Sequence, residues 1–134
     1  MAMIDAERAT ALVGVPFRAQ GRDARTGLDC VGLAIAACGL DPRGVRDDYR
    51  LRGDHRAELI ERLASQFRRV SPGQKRSGDL IMMMVGEAQF HLGVLTARGF
   101  VHADARLRLV VETPGWPRWP VMRIYRRRAR QRGK

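Results

Sequence analysis

This 134-residue sequence lacks long apolar runs, and it has only two cysteines, which lie eight residues apart. No uninterrupted apolar stretch approaches the roughly 20 residues that a membrane helix needs, so we expect no transmembrane segment. The start, Met1 to Arg8, has no basic stretch followed by an apolar core, and we therefore predict no secretory signal peptide and expect synthesis in the cytoplasm. Cys30 and Cys38 fall in one predicted helix, roughly 12 Å apart and beyond the ~7 Å limit of a disulfide. Both thiols are predicted to be free.

Lysine is also scarce, because only Lys75 and Lys134 occur, and the formal net charge of +11 therefore comes from arginine. A charge of this size and sign makes acidic polymers candidate partners. The length and the hydrophobic fraction of 45% are typical of one globular domain with one core. We assign this domain to residues 1–126 and predict that the basic end, residues 127–134, is a disordered tail.

Helical patterns come before strand patterns along the chain. Residues 3–13 are predicted to form a helix that ends at Gly14, a second short helix begins at Cys30 with Asp29 as its cap, and residues 54–69 show the clearest amphipathic pattern. Five strands are predicted after these helices, at residues 80–85, 89–96, 100–103, 107–113 and 121–125. This order predicts an α+β fold with N-terminal helices packed on a C-terminal antiparallel β-sheet.

Cys30 is the first candidate for chemistry because it lies in the first turn of an apolar helix. Unpaired N–H groups and the helix dipole stabilise negative charge at that position. We therefore expect a lowered thiol pKa and a reactive thiolate. The alternative for a lone cysteine is a small apolar residue that only packs in the core, and this interpretation suits Cys38.

His91 and His102 lie on consecutive predicted strands joined by a short turn. On the first strand, His91 points away from the face that carries Leu92, so it can line a cleft instead of the core. If the turn is centred between Thr96 and Ala97, His91 and His102 lie directly opposite each other, and His102 can orient the imidazole of His91. A turn centred on Arg98 and Gly99 would separate the two histidines. A half-exposed sheet histidine without a catalytic role is the alternative for His91.

Four motifs occur in an order that is typical of one family. They are Asp29-Cys30-Val31-Gly32-Leu33, Ser77-Gly78-Asp79-Leu80, Phe90-His91-Leu92-Gly93-Val94 and Val101-His102-Ala103. Together they resemble the NlpC-type cysteine peptidases, a papain-like family that cleaves stem peptides of the bacterial cell wall, typically next to γ-linked D-glutamate. The resemblance covers about residues 12–126.

The resemblance implies a role for each matched residue. Cys30 would be the nucleophile, His91 the general base and His102 the orienting polar residue. Asp29 would help to shape the substrate subsite, although a helix cap alone explains it equally well. Phe17 replaces a tyrosine of the family at the substrate-binding site, which removes one donor to the oxyanion and could cost roughly 10²-fold in rate unless Gln20 or backbone N–H groups replace it. The chemistry requires no cofactor and no metal, and no clustered His and Cys spacing predicts one.

Val31 replaces the usual serine after the nucleophile. The resulting Asp-Cys-Val motif is similar to that of stand-alone members encoded with phage-tail or gene-transfer-agent genes. This predicts a peptidoglycan hydrolase carried in a phage-like particle, with other tail proteins as further partners. Two other functions remain open: a catalytically weak structural component of such a tail, which Phe17 favours, and a basic nucleic-acid-binding module. We do not expect nucleic acid as a partner, because no helix-turn-helix, zinc finger or stacking-aromatic pattern accompanies the charge.

Overall fold

The computed structural model of the protein describes residues 2–39, 65–86 and 89–128. Within these ranges the chain forms two α-helices, α1 (Ala2–Ala11) and α2 (Cys30–Cys38), and eight strands. The strands are β1 (Arg22–Asp23), β2 (Gly27–Leu28), β3 (Phe67–Arg69), β4 (Leu80–Met84), β5 (Phe90–Leu95), β6 (Gly99–Asp104), β7 (Leu109–Pro114) and β8 (Val121–Arg127). A short 3-10 helix, Pro72–Gln74, precedes β4.

One antiparallel sheet of six strands, in the order β3-β8-β4-β5-β6-β7, forms the body of the fold. Helix α2 packs on β5 and also contacts α1 and β6, while β1 and β2 form a separate small hairpin. The predicted α+β architecture, with N-terminal helices on a C-terminal antiparallel sheet, is therefore confirmed.

The sheet buries apolar side chains on both faces. On the helix side, Leu33 and Ala37 of α2 pack with Leu92 and Val94 of β5. A second, smaller cluster contains Ile81, Met83, Leu95, Phe100 and Ile124. Alternation along the strands divides the two sets, because successive side chains of a strand point to opposite faces. His91 and Leu92 therefore point to opposite faces of β5.

The end of the predicted 54–69 helix is wrong. Phe67–Arg69 is strand β3, which pairs with β8, and Phe67 packs edge-on against Tyr125 with ring centroids 6.0 Å apart. Pairing with β8 satisfies the backbone groups of this segment while Phe67 remains buried, so both conformations bury the same aromatic ring. Residues 54–64 lie outside the described residues.

Two buried ion pairs fix β8 against the rest of the chain. Arg126 donates two hydrogen bonds of 2.8 Å to the carboxylate of Asp79, just before β4, and Arg127 donates hydrogen bonds of 2.8 and 3.0 Å to Asp5 in α1. Strand β8 thus runs one residue past the predicted domain boundary at 126. Residues 129–134 of the predicted tail lie outside the described residues.

Candidate active site

The N-terminus of α2 fixes the position of Cys30. Asp29 is the cap, and its Oδ1 accepts a hydrogen bond of 2.8 Å from the backbone N–H of Gly32, as predicted for this helix start. Gly32 also allows close approach of the preceding loop, because a Cβ at this position would lie 2.0 Å from the carbonyl oxygen of Gly21. Cys30, the first helical residue, is almost fully buried, and Cys30 and Cys38 are both free thiols as predicted.

Asp29 connects the helix start to the preceding loop. Its Oδ2 accepts a hydrogen bond of 2.9 Å from the backbone N–H of Gln20, and its Oδ1 lies 3.2 Å from Nη1 of Arg22. The carboxylate therefore holds the loop and the helix start together. Its predicted contribution to a substrate subsite stays a prediction beside this structural role.

The two histidines occupy a register that lies between the two expected from sequence. His102 pairs with Gly93, so His91 and His102 are diagonal neighbours on the same face of β5 and β6. Thr96 and Gly99 close a two-residue turn at Ala97 and Arg98, which is neither of the predicted turn centres. The diagonal still brings the rings together, because Nε2 of His91 lies 2.9 Å from Nδ1 of His102.

Gly93 is closely surrounded where the two histidine strands pair. It lies directly opposite His102 and on the same face as His91. A Cβ at this position would lie 3.2 Å from the ring of Phe100 and 3.3 Å from Cε of Met83. A larger residue would therefore press on the ring of Phe100, which stacks on His102.

A cleft of about 290 Å³ contains the predicted catalytic set. Its lining includes Phe17, Cys30, Gln89, His91, His102 and Trp119. The sulfur of Cys30 also accepts a hydrogen bond from the backbone of Leu92, the residue that follows His91. The structure thus brings Cys30, His91, His102 and Phe17 to one cavity, whereas the Asp29 carboxylate is bound to the loop beside it.

The expectation of a lowered thiol pKa at Cys30 is wrong for the resting site. Burial, with the Asp29 carboxylate as second cause, raises the pKa of Cys30 to about 12. Desolvation therefore outweighs the favourable helix N-terminus. Burial likewise lowers the pKa of His91 to about 4, and the neighbouring His102 acts in the same direction. At neutral pH the site holds a neutral thiol and a neutral imidazole.

Two residues of the site are not among the predicted site residues. Trp119, on the loop before β8, lies edge-on to His91 and His102 with ring centroids 5.7 and 5.9 Å away. Thr113 is the other, since its Oγ1 lies 2.8 Å from Nε2 of His102. The contact of Thr113 depends on the register between β6 and β7, and the contact of Trp119 depends on the path of the loop before β8.

Phe17 lines the cleft with an apolar ring. Its backbone N–H donates to the carbonyl of Arg108 at 2.9 Å, which fixes the segment against the start of β7. The side chain has no hydroxyl to offer to an oxyanion. The backbone N–H of Gln20 is bound to Asp29, and the replacement of the missing donor by Gln20 or by backbone N–H groups stays a prediction.

No metal centre and no membrane helix accompanies this site within the described ranges. Residues 2–39, 65–86 and 89–128 contain no group of three or more His, Cys, Asp or Glu side chains placed to hold a metal ion. None of the helices in these ranges is long and apolar enough to cross a membrane.

Comparison with solved structures identifies the fold. The NlpC/p60 domain of the peptidoglycan hydrolase SagA superposes with a TM-score of 0.58 at 18% sequence identity, over 85% of this chain and 89% of that one. The chain has the NlpC/p60 fold. RipB, a peptidoglycan hydrolase from Mycobacterium tuberculosis, gives a TM-score of 0.60 at 23% identity, over 94% of this chain and 63% of that one. NlpC2 from Trichomonas vaginalis gives 0.66 at 20% identity, over 92% and 44% respectively.

The sequence comparisons add no family assignment to this structural likeness. No protein-family model matches the chain. No curated protein matches it either. The NlpC/p60 likeness therefore describes how the chain folds.

Proposed function

We propose that this protein is a cysteine peptidase of the NlpC type that hydrolyses peptide bonds in bacterial cell-wall stem peptides, next to γ-linked D-glutamate. The observation that carries the proposal is the 2.9 Å contact between His91 and His102 in a cleft that Cys30 also lines. A nucleophile, a base and an orienting group in one cavity are the parts that nucleophilic amide hydrolysis needs. The NlpC/p60 folds of the peptidoglycan hydrolases SagA and RipB support the choice of substrate.

The mechanism begins from neutral partners. As the sulfur of Cys30 attacks the carbonyl carbon of the substrate, its proton passes to His91, whose other ring nitrogen is bound to His102. The resulting imidazolium returns this proton to the leaving amine, and a thioester remains on Cys30. Water, deprotonated by His91, then attacks the thioester carbon, the bond from this carbon to sulfur breaks, and His91 returns the proton to the sulfur of Cys30 as the product leaves with a new carboxyl group. Because His102 holds the ring of His91, both steps use one geometry.

The missing hydroxyl at residue 17 favours a second candidate function. Phe17 supplies no hydroxyl, and burial raises the pKa of Cys30 to about 12, so a weak or inactive site in a structural tail component would carry the same features. The association with a phage-like tail is part of our proposal in either case. It rests on the sequence Asp29-Cys30-Val31, which resembles stand-alone members of that kind.

Incubation of the purified protein with muropeptides at near-neutral pH, with mass spectrometric detection of new amines, tests this function. We expect cleavage beside D-glutamate in the wild type and none in Cys30→Ala or His91→Ala. Cys38→Ala is the matched control, because Cys38 is equally buried but does not line the cleft, and it should retain activity. If neither the wild type nor any variant cleaves any of several peptide substrates, the result would favour the structural tail component.

A further inference from the structure

Three polar side chains follow one diagonal across the sheet. His91 on β5 lies two residues from Gly93, which faces His102 on β6, and His102 faces Val111 on β7, two residues from Thr113. Their side chains form a continuous chain of contacts, 2.9 Å from His91 Nε2 to His102 Nδ1 and 2.8 Å from His102 Nε2 to Thr113 Oγ1. Both ring nitrogens of His102 are therefore engaged.

The charged state of His91 allows one arrangement of protons along this chain. An imidazolium carries a proton on each nitrogen, so Nε2 of His91 must donate to Nδ1 of His102. Nδ1 of His102 is then the acceptor, and the proton of this neutral ring lies on Nε2. That N–H points to Thr113, whose hydroxyl oxygen must accept it.

Aromatic neighbours hold the ring of His102 in this orientation. Phe100 stacks on it with a centroid distance of 4.7 Å and an interplanar angle of 28°, and Trp119 meets it edge-on. His102 itself is almost fully buried. Since its ring is held on two sides, loss of the acceptor at residue 113 would leave the Nε2–H of His102 without this protein partner.

We propose that Thr113 is a positioning residue of the cysteine site: its hydroxyl accepts the Nε2–H of His102 and so keeps Nδ1 of His102 free to accept from His91. The assignment rests on the proposed peptidase function. It extends the site from three side chains to four and places the fourth on β7. No proton leaves His91 toward His102, so Thr113 acts on orientation and tautomer and not as a base.

Thr113→Val removes the hydroxyl at nearly constant shape, and Thr113→Ser restores it. With muropeptide as substrate, we expect kcat to fall about tenfold in the valine variant at unchanged KM, which corresponds to one lost hydrogen bond, and to return to within about twofold of wild type in the serine variant. Thr26→Val makes the same chemical change on an exposed turn, where the hydroxyl bonds only its own turn carbonyl, and should leave kcat unaltered.

The tautomer of His102 gives a second readout that needs no substrate. A neutral His91 that is to take the Cys30 proton on Nδ1 carries its own proton on Nε2, so Nδ1 of His102 is the acceptor in the resting site as well. Long-range ¹H–¹⁵N correlation spectra distinguish the protonated ring nitrogen, and we expect the Nε2–H form in the wild type and in Thr113→Ser but a loss of that preference in Thr113→Val. An unchanged tautomer together with unchanged kcat in a folded Thr113→Val variant would overturn the proposal while the peptidase assignment stands. If the wild type cleaves nothing but the tautomer shifts as expected, the proposed function fails and the role of Thr113 in ordering the histidine pair holds.

Discussion

Because the thiol of Cys30 is buried, we expect it to react slowly with an alkylating agent. With a pKa of about 12, its thiolate fraction at pH 7.5 is roughly 3 × 10⁻⁵, against about 10% for an unperturbed cysteine. The more basic thiolate is also the better nucleophile, by roughly 40-fold over this difference in pKa. We therefore expect iodoacetamide to modify Cys30 on the order of 10²-fold more slowly than an exposed cysteine.

Peptide mass spectrometry measures this rate, because it follows the modified Cys30 peptide separately from that of Cys38. The urea-unfolded protein supplies the reference rate. The pH dependence separates protonation from restricted access: for a buried neutral thiol the rate rises about tenfold per pH unit from pH 7 to pH 10. Rapid alkylation that is already constant below pH 8 would refute our reasoning, since it requires a preformed thiolate–imidazolium pair.

Two further predictions concern stability. Arg126→Leu leaves the buried carboxylate of Asp79 without its ion pair and should lower the free energy of unfolding by about 3–5 kcal/mol in urea titrations. Arg25→Leu removes an exposed ion pair and should change the free energy of unfolding far less, so equal losses in the two variants would contradict the burial argument. His91 protonates with a pKa of about 4 in the folded protein and near 6.5 when unfolded, so the unfolded chain binds more protons between these values, and stability should fall by up to about 3 kcal/mol as pH drops from 6.5 to 4. His91→Gln should flatten this dependence, and an unaltered pH profile in that variant would assign the effect to other groups.

Local signals in the sequence predict the elements of this fold well. The cap at Asp29, the helix that follows it and the strands around His91 and His102 each depend on neighbours in the chain, and the structure confirms them. Phe67 shows where such signals stop. An apolar residue followed by two arginines is compatible with a helix end and with an edge strand, and only pairing with β8 decides between them.

Tertiary contacts decide the features of the site that the sequence could not give. The register between β5 and β6 depends on which two residues form the turn, and it determines that His102 faces Gly93 and not His91. The contact of Thr113 with His102 follows from a second register, and Trp119 reaches the site from a loop. The pKa of Cys30 follows from burial, which outweighs the local effect of the helix N-terminus.

The measurement that tests the central claim most directly is a search for the thioester on Cys30. The protein is mixed with muropeptide, quenched with acid during turnover and digested for mass spectrometry. We predict that the peptide containing Cys30 gains the mass of the acyl part of the substrate, that this adduct disappears when turnover is complete, and that Cys30→Ala forms neither adduct nor product. Cleavage that persists in Cys30→Ala, with no adduct on the wild-type peptide, would contradict a cysteine peptidase at this site.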